Sequence, residues 1–401
     1  MTRKAWPERR LGELVRLTSG QSPSGFRFRG VGTPYFKVDQ LGKASKYLGH
    51  RETPYFALGM PTVPAGSVLI AKRGGAIALN RVRLLSEPGF MDTNVMALTP
   101  GAELESEFLY YWLLYRGLWD IADVTSVPQI NNKHINPLAI ALPDGRSQRA
   151  IVSALRDVDA SQDVLSRSLD KKRAIKQGLM QELLTGRTRL PGFTGEWVTL
   201  RVAASSLLKA RIGWQGLTTL EYRSSGDYRL VGGTDFRDGQ VDWSATPYVN
   251  KWRFDQDRNI QLQVGDVLIT KDGTIGKVAF VDSLPGPATL NSGVFVVRPK
   301  AGAYNSGFLY HMLRSRFFDE FVAGLSAGST INHLYQRDLV TLELVVPATP
   351  AEQEAIAAVL FDADHEIQAL ERRFEAARAI KEGMMQELLT GRTRLVGEGA
   401  A

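Results

Sequence analysis

A repeat limits this chain more than any other feature. Residues Ala174–Leu190 read AIKQGLMQELLTGRTRL, and Ala379–Leu395, 205 positions later, read AIKEGMMQELLTGRTRL. Only Gln177/Glu382 and Leu179/Met384 differ. The same offset carries Gln148, Ile151, Leu155 and Asp159 onto Gln353, Ile356, Leu360 and Asp364. A unit of about forty residues therefore closes each half of a duplicated chain. At 401 residues the chain exceeds one typical core, so each half is expected to carry its own.

The repeated unit reads as helix. From Ile356 an apolar 4-3 rhythm runs through Leu360, Ala363, Ile367, Leu370, Phe374 and Ala377 to Met384 and Leu388. The first copy gives Ile151, Leu155, Val158, Leu165, Leu169, Leu179 and Leu183. Such a period, kept over about five heptads, predicts a coiled coil, a rod of roughly 60 Å for forty residues. Gly186 and Gly391 follow QELLT as helix stops. Gly178 and Gly383 sit inside the pattern at about 1 kcal/mol each, marking a close approach or a bend. Gln162, Lys172, Lys176 and Lys381 interrupt the seam, to fix register or to face a partner. A lone amphipathic rod would expose its seam, so the two copies are expected to pair antiparallel, with the globular domains near opposite ends. Charge agrees: residues 148–190 carry 9 basic and 5 acidic side chains, and 353–401 carry 6 and 9.

The remainder repeats in order though hardly in identity. TPYFKVDQL corresponds to DYRLVGGTDF, GSVLIAKRGGAIALNRV to GDVLITKDGTIGKVAFV, and TNVMALTP to NSGVFVVRP. SEFLYYWLLYRGLWDI corresponds to SGFLYHMLRSRFFDEF, and TSVPQINNKHINPLAIALP to SAGSTINHLYQRDLVTLELVVP. The first segments suit short strands, and Glu103–Asp123, acidic at its start and apolar at helical spacing, a buried helix. The expected fold is thus α+β: two homologous mixed α/β domains, 1–147 and 191–352, with coiled-coil helices at 148–190 and 353–395 and a tail at 396–401. The helices would relate the halves by a pseudo-two-fold axis. Near-identical tails imply one task performed twice, and divergent domains imply two versions of another.

Composition excludes several classes. With no cysteine, disulfides and thiolate metal sites are ruled out, which fits a reducing cytoplasm. No apolar run approaches the roughly 20 residues of a membrane span, and MTRKAWPERRLGELV has no apolar signal core. Residues 1–147 carry 18 basic and 12 acidic side chains, within a formal net charge of +7, which is compatible with nucleic acid.

A catalytic centre is not legible. The five histidines have no metal-ligand spacing, no G-x-G-x-x-G follows a strand, and DGTIGK is too short for a phosphate loop. NPL at Asn136–Leu138 lacks the proline-aromatic continuation of an amino-methyltransferase loop, and LPDG at Leu142–Gly145 lacks a nuclease's acid-x-lysine. What stands out instead is a set of polar, glycine-rich loops placed equivalently in both halves. The first half offers Arg27 and Arg29 in FRFRG, then Lys72, Arg73, Gly74 and Arg81, then Gln129, Asn131, Asn132 and Lys133. The second offers Lys271, Asp272, Thr274 and Lys277, then Thr330, Asn332 and His333. Such side chains pair with base edges, while lysines and backbone N–H groups hold phosphates.

Taken together, GDVLITKDGTIGK (Gly265–Lys277), GSTINHLYQRDL (Gly328–Leu339), VVPATPAEQEAIAAVL (Val345–Leu360) and the doubled GLMQELLTGRTRL make the whole chain resemble the specificity subunit of type I restriction–modification enzymes. The resemblance implies two target recognition domains, each reading half of a bipartite double-stranded DNA site. It implies helices that set the gap and dock two methyltransferase subunits, and a separate restriction and translocase subunit. S-adenosylmethionine, Mg and ATP would belong to those partners alone, leaving this chain non-catalytic and cofactor-free in the cytoplasm. Residues expected at the shared docking contact are Gln181, Glu182, Leu183, Leu184 and Arg187, with Gln386, Glu387, Leu388, Leu389 and Arg392 in the second copy. An in-phase insertion after Thr185 would then lengthen the gap. The first domain departs from the pattern, with AKRGGAIALN for TKDGTIGK and VPQINN for GSTIN. A coiled-coil adaptor whose domains bind proteins is the alternative; a self-contained nuclease or methyltransferase lacks its motifs.

Overall fold

The computed structural model describes residues 6–123, 127–213, 216–326 and 333–395. The chain divides into two compact units, Met1–Arg167 with Arg372–Ala401, and Ser168–Glu371. Each unit therefore holds one globular domain, the start of the long helix that follows it, and the end of the other long helix.

Both domains rest on the same four-strand framework. In the first unit the order is Val15–Ser19, Val95–Pro100, Val68–Ala71, Arg83–Leu85, and in the second it is Ser206–Ala210, Val294–Pro299, Val267–Thr270, Val278–Phe280. Neighbouring strands in these runs are antiparallel. VLIA and VLIT lie in the middle with every side chain buried, which is why they read as continuous apolar runs rather than alternating ones. A short antiparallel pair completes each domain: Glu8–Arg10 with Ala139–Ala141, and Trp197–Arg201 with Glu343–Pro347.

A buried helix covers each sheet, Ser106–Arg116 in the first unit and Ser306–Leu313 in the second. The first is shorter than its apolar pattern predicts. Gly117, at φ 69°, accepts the left-handed conformation that ends it. In the second unit the corresponding stretch breaks after Leu313 and resumes as Arg316–Ser326. TPYFKVDQL is also only half a strand, Thr33–Phe36, before a 3-10 turn at Val38–Gly42.

The domains differ most between the first and third framework strands. There residues 20–67 build Phe28–Arg29, Thr33–Phe36 and Phe56–Ala57 into a four-stranded sheet with Phe90–Met91. Residues 211–266 instead supply Tyr228–Val231 and Tyr248–Val249, which join Ala288–Leu290.

The long helices span Gly145–Leu183 and Pro350–Leu389. They start a little before, and stop short of, the stretches read from periodicity. Within the second unit Lys172 meets Glu366 at 2.5 Å, Lys176 meets Asp364, and Arg173 meets Glu371 at 2.6 Å. From Arg173–Glu371 to Lys176–Asp364 the number on one helix rises by three as its partner's falls by seven, so the helices run antiparallel. In the first unit Lys381 meets Asp159 at 2.6 Å. Three of the polar seam residues, Lys172, Lys176 and Lys381, thus fix register across the pair. Gly178 and Gly383 mark no close approach, because a Cβ at either would meet open space.

Candidate nucleic-acid interface and docking tails

The two loop clusters are built by the same main-chain bonds. In the first domain Lys72 N–H donates to Asn94 O at 2.7 Å, and Ile130 N–H donates to Lys72 O at 2.9 Å. In the second, Lys271 N–H donates to Gly293 O at 2.9 Å, and Leu334 N–H donates to Lys271 O at 2.8 Å. The next residue forms an isolated antiparallel bridge in each case, Arg73 with Gln129 and Asp272 with His333. One residue further on, Gly74 and Gly273 share a left-handed turn, at φ 75° and 71°. The framework strand ends where its hydrophobic run ends, and the glycine lets the chain double back against the second loop.

This geometry corrects one correspondence. Sequence similarity set QIN, Gln129–Asn131, against TIN, Thr330–Asn332. The bonds instead set Gln129 and Ile130 against His333 and Leu334, and the short helix Asn132–Ile135 against Gln336–Leu339. Thr330 and Asn332 lie outside the described residues.

Around these turns the side chains differ. In the first domain Arg73 is exposed, and Lys72 Nζ donates to Ser19 Oγ at 3.0 Å. Lys133 Nζ and His134 Nε2 both face Asp123 Oδ2, at 3.1 and 3.3 Å. Lys133 and His134 hold the Asp123 carboxyl below its usual range. Asn131 precedes the short helix half-buried, and Asn132 is exposed. In the second domain His333 Nδ1 lies 2.5 Å from Asp272 Oδ1, and Lys271 Nζ lies 3.6 Å from the same carboxylate's Oδ2. Thr270 Oγ1 donates to Thr274 O at 2.6 Å, tying off the turn and leaving the Thr274 and Lys277 side chains exposed.

Not every candidate joins these clusters. Exposed Arg81 covers Gly42, where a Cβ would lie 2.2 Å from its guanidinium. Arg27 and Arg29 border a separate cleft with Phe26, Phe90, Leu58 and Met60. Leu58 and Met60 were not singled out from the sequence, because FALGMPT looks like any strand-to-turn passage and only the fold shows them outward.

The tails require a correction. Leu183 and Leu184 are buried in the core of the second unit, and Leu388 and Leu389 in the core of the first. They are therefore unavailable to a partner, having been consumed by their own units at about 1.5–3 kcal/mol each. The cause is the cap: Gly186 and Gly391, at φ 69° and 71°, turn the chain so closely that a Cβ would lie 3.0 Å from the ring of Trp197 or Trp6. Thr188 Oγ1 and Thr393 Oγ1 each donate to the glutamate six residues back, Glu182 and Glu387, at 2.7 and 2.9 Å. Gln181, Glu182, Arg187, Gln386 and Arg392 stay exposed, and Glu387 is half-buried. Beside them stand Ile175 and Ile380, 44% and 57% exposed, and the open glycines Gly178 and Gly383. This outward face is identical in the two copies.

Among the described residues no group of three or more His, Asp or Glu is placed to hold a metal ion. No helix among them is long and apolar enough to cross a membrane.

Paired loops of unlike side chains on a duplicated framework, with tails held in common, define a two-headed recognition protein. The chain belongs to the type I restriction modification DNA specificity domain family, whose model matches residues 3–175 and 216–376. It is 21% identical to the MjaVIII specificity subunit of Methanocaldococcus jannaschii, over 97% of this chain and 93% of that one. It is 23% identical to the EcoKI specificity subunit of Escherichia coli, over 49% of this chain and 42% of that one. The fold is shared with the type I restriction–modification S subunit from M. genitalium, at 14% identity, TM-score 0.65 and 97% coverage of both chains.

Proposed function

We propose that this chain is the DNA-recognition subunit of a type I restriction–modification assembly. Each globular domain reads one half of a bipartite duplex site. The paired helices set the gap and hold two methyltransferase subunits, and a restriction and translocase subunit completes the assembly. S-adenosylmethionine, Mg and ATP act on those partners, and this chain supplies no catalytic group.

One observation carries the reading. Lys72–Arg73 with Gln129, and Lys271–Asp272 with His333, hang on the same main-chain bonds yet present different side chains. A framework held constant while its outward groups change is what two unlike half-sites require, because phosphate contacts position a reader and base contacts specify. The partner contact follows from the corrected tails. The outward face of Ala174, Ile175, Gly178 and Gln181, with its copy Ala379, Ile380, Gly383 and Gln386, meets the same subunit twice.

The test is selection of bound duplexes from a random pool by the full chain assembled with its methyltransferase subunits. A two-part consensus with a fixed gap is expected, and binding without sequence preference would refute the proposal.

A further inference from the structure

We propose that Leu58 and Met60, set beside Arg27 and Arg29, form an apolar wedge that the first domain inserts into a groove of duplex DNA. The inference rests on the DNA-recognition reading of the chain and adds a mode of contact to it.

Leu58 and Met60 are 62% and 87% exposed, and Val31 on the neighbouring turn is 74% exposed. The segment that carries them is firmly built. Phe56–Ala57 is held on both sides, its Ala57 paired with Phe28 and with Thr33. Gly32 lets the turn close, since a Cβ there would lie 2.6 Å from Ala57 O. Beneath it Phe26 packs on Phe90 at 4.8 Å between ring centroids, and Phe28 on Tyr55 at 5.4 Å. A segment held in this way keeps a leucine and a methionine in water, apolar surface that an occupant would bury.

Charge identifies the occupant. No carboxylate occurs between Glu13 and Asp39, nor between Glu52 and Glu87, whereas Arg16, Arg27, Arg29, Lys37, Lys72, Arg73, Arg81 and Arg83 all do. The cleft shared by Arg27, Arg29, Leu58 and Met60 has no acidic residue in its lining. An apolar tip flanked by arginines over a cleft with no acidic lining suits a polyanion with an apolar interior. Duplex DNA has charged backbones beside a groove whose base steps admit leucine or methionine. The second domain's insert also exposes Leu220 and Trp252, but Glu221 and Asp255 stand beside them, so the inference is confined to the first domain.

The experiment uses the full chain with its methyltransferase subunits and a duplex bearing the selected site, with 2-aminopurine placed at each step in turn. Wild-type complex should brighten the probe at one step of one half-site. Leu58→Ser with Met60→Ser should abolish that signal and weaken binding roughly tenfold at an unchanged salt slope. Arg27→Ala with Arg29→Ala should instead lower the salt slope by about two. Retention of both signal and affinity in the serine variant would overturn the wedge. So would normal DNA binding with loss of a protein partner, which would assign the tip to that partner. Binding without sequence preference by the wild type would instead bring down the recognition reading, and the wedge with it.

Discussion

The hydroxyl of Tyr111 donates to Asp159 at 2.6 Å, and the same carboxylate meets Lys381 at 2.6 Å. The second unit keeps the ion pair, Asp364 with Lys176, but places His311 where the first has Tyr111. One turn earlier on the same helices, Glu107 pairs with Arg156, while the corresponding residues Gly307 and Phe361 pack ring against backbone. A charged couple has been exchanged for an apolar one as a unit. Each domain is thus matched to the helix that follows it, whereas the tails are near-identical in sequence and capped alike.

That matching is testable by substitution. Gly307→Glu puts a Cβ 2.6 Å from the Phe361 ring and should cost about 1–3 kcal/mol of the second unit's stability. Adding Phe361→Arg should restore part of it. Denaturant melts with hydrogen-exchange readout per unit would measure the coupling, and strict additivity would refute it.

The two units should also differ in acid. His311 is fully buried without a hydrogen-bond partner, and burial, with Lys176 and Arg314 nearby, lowers its pKa well below the usual value. The unfolded chain then binds the proton more readily, so stability of the second unit falls as pH drops below about 6.5, by about 1.4 kcal/mol per pH unit. In the first unit burial opposes ionisation of Glu107, but hydrogen bonds from Arg156, Lys46 and Tyr47 outweigh it and hold the pKa at about 2. Its contribution is lost only as pH falls from 4.5 toward 2. Unfolding followed from pH 7 to 3 should show the second unit weakening first, and His311→Tyr should remove that early loss.

The caps give a unit-specific effect. Gly391→Ala forces a left-handed alanine against the Trp6 ring and should destabilise the first unit by about 1–3 kcal/mol, leaving the second unchanged. Gly186→Ala should do the reverse through Trp197. Proteolysis mapped to each unit distinguishes these outcomes.

The mid-helix glycines should behave in the opposite way. A Cβ at Gly178 or Gly383 meets open space, so alanine should stabilise each helix by about 1 kcal/mol. Leucine at both positions should leave the fold intact yet abolish co-purification with methyltransferase subunits. Undiminished co-purification would remove this face from the contact.

The gap test also changes. Residues inserted after Thr185 would pull Gly186 away from Trp197 and disrupt a cap instead of lengthening a seam. A heptad inserted in both helices, after Arg167 and after Glu371, adds about 10 Å, or roughly three base pairs. The selected consensus should widen by that gap with both halves unchanged.

Much of this was legible beforehand, and for local reasons. The buried runs VLIA and VLIT, the amphipathic seams and the glycine stops act within a few residues, so their periodicity survives in the sequence. The match of Ile130 to Leu334 was not legible, because it depends on which amide reaches Lys72 O and Lys271 O across the fold. Nor was the burial of Leu183, Leu184, Leu388 and Leu389, since an apolar residue at a helix end looks the same facing its own core or a partner.

The sequence by itself determined the duplication, the amphipathic helices and the division between like tails and unlike heads, because identity and period are properties of order along the chain. Only the tertiary structure decided which unit each tail completes. That depends on where Trp6 and Trp197 stand when the chain folds back, and the same QELLTGRTRL fits under either ring.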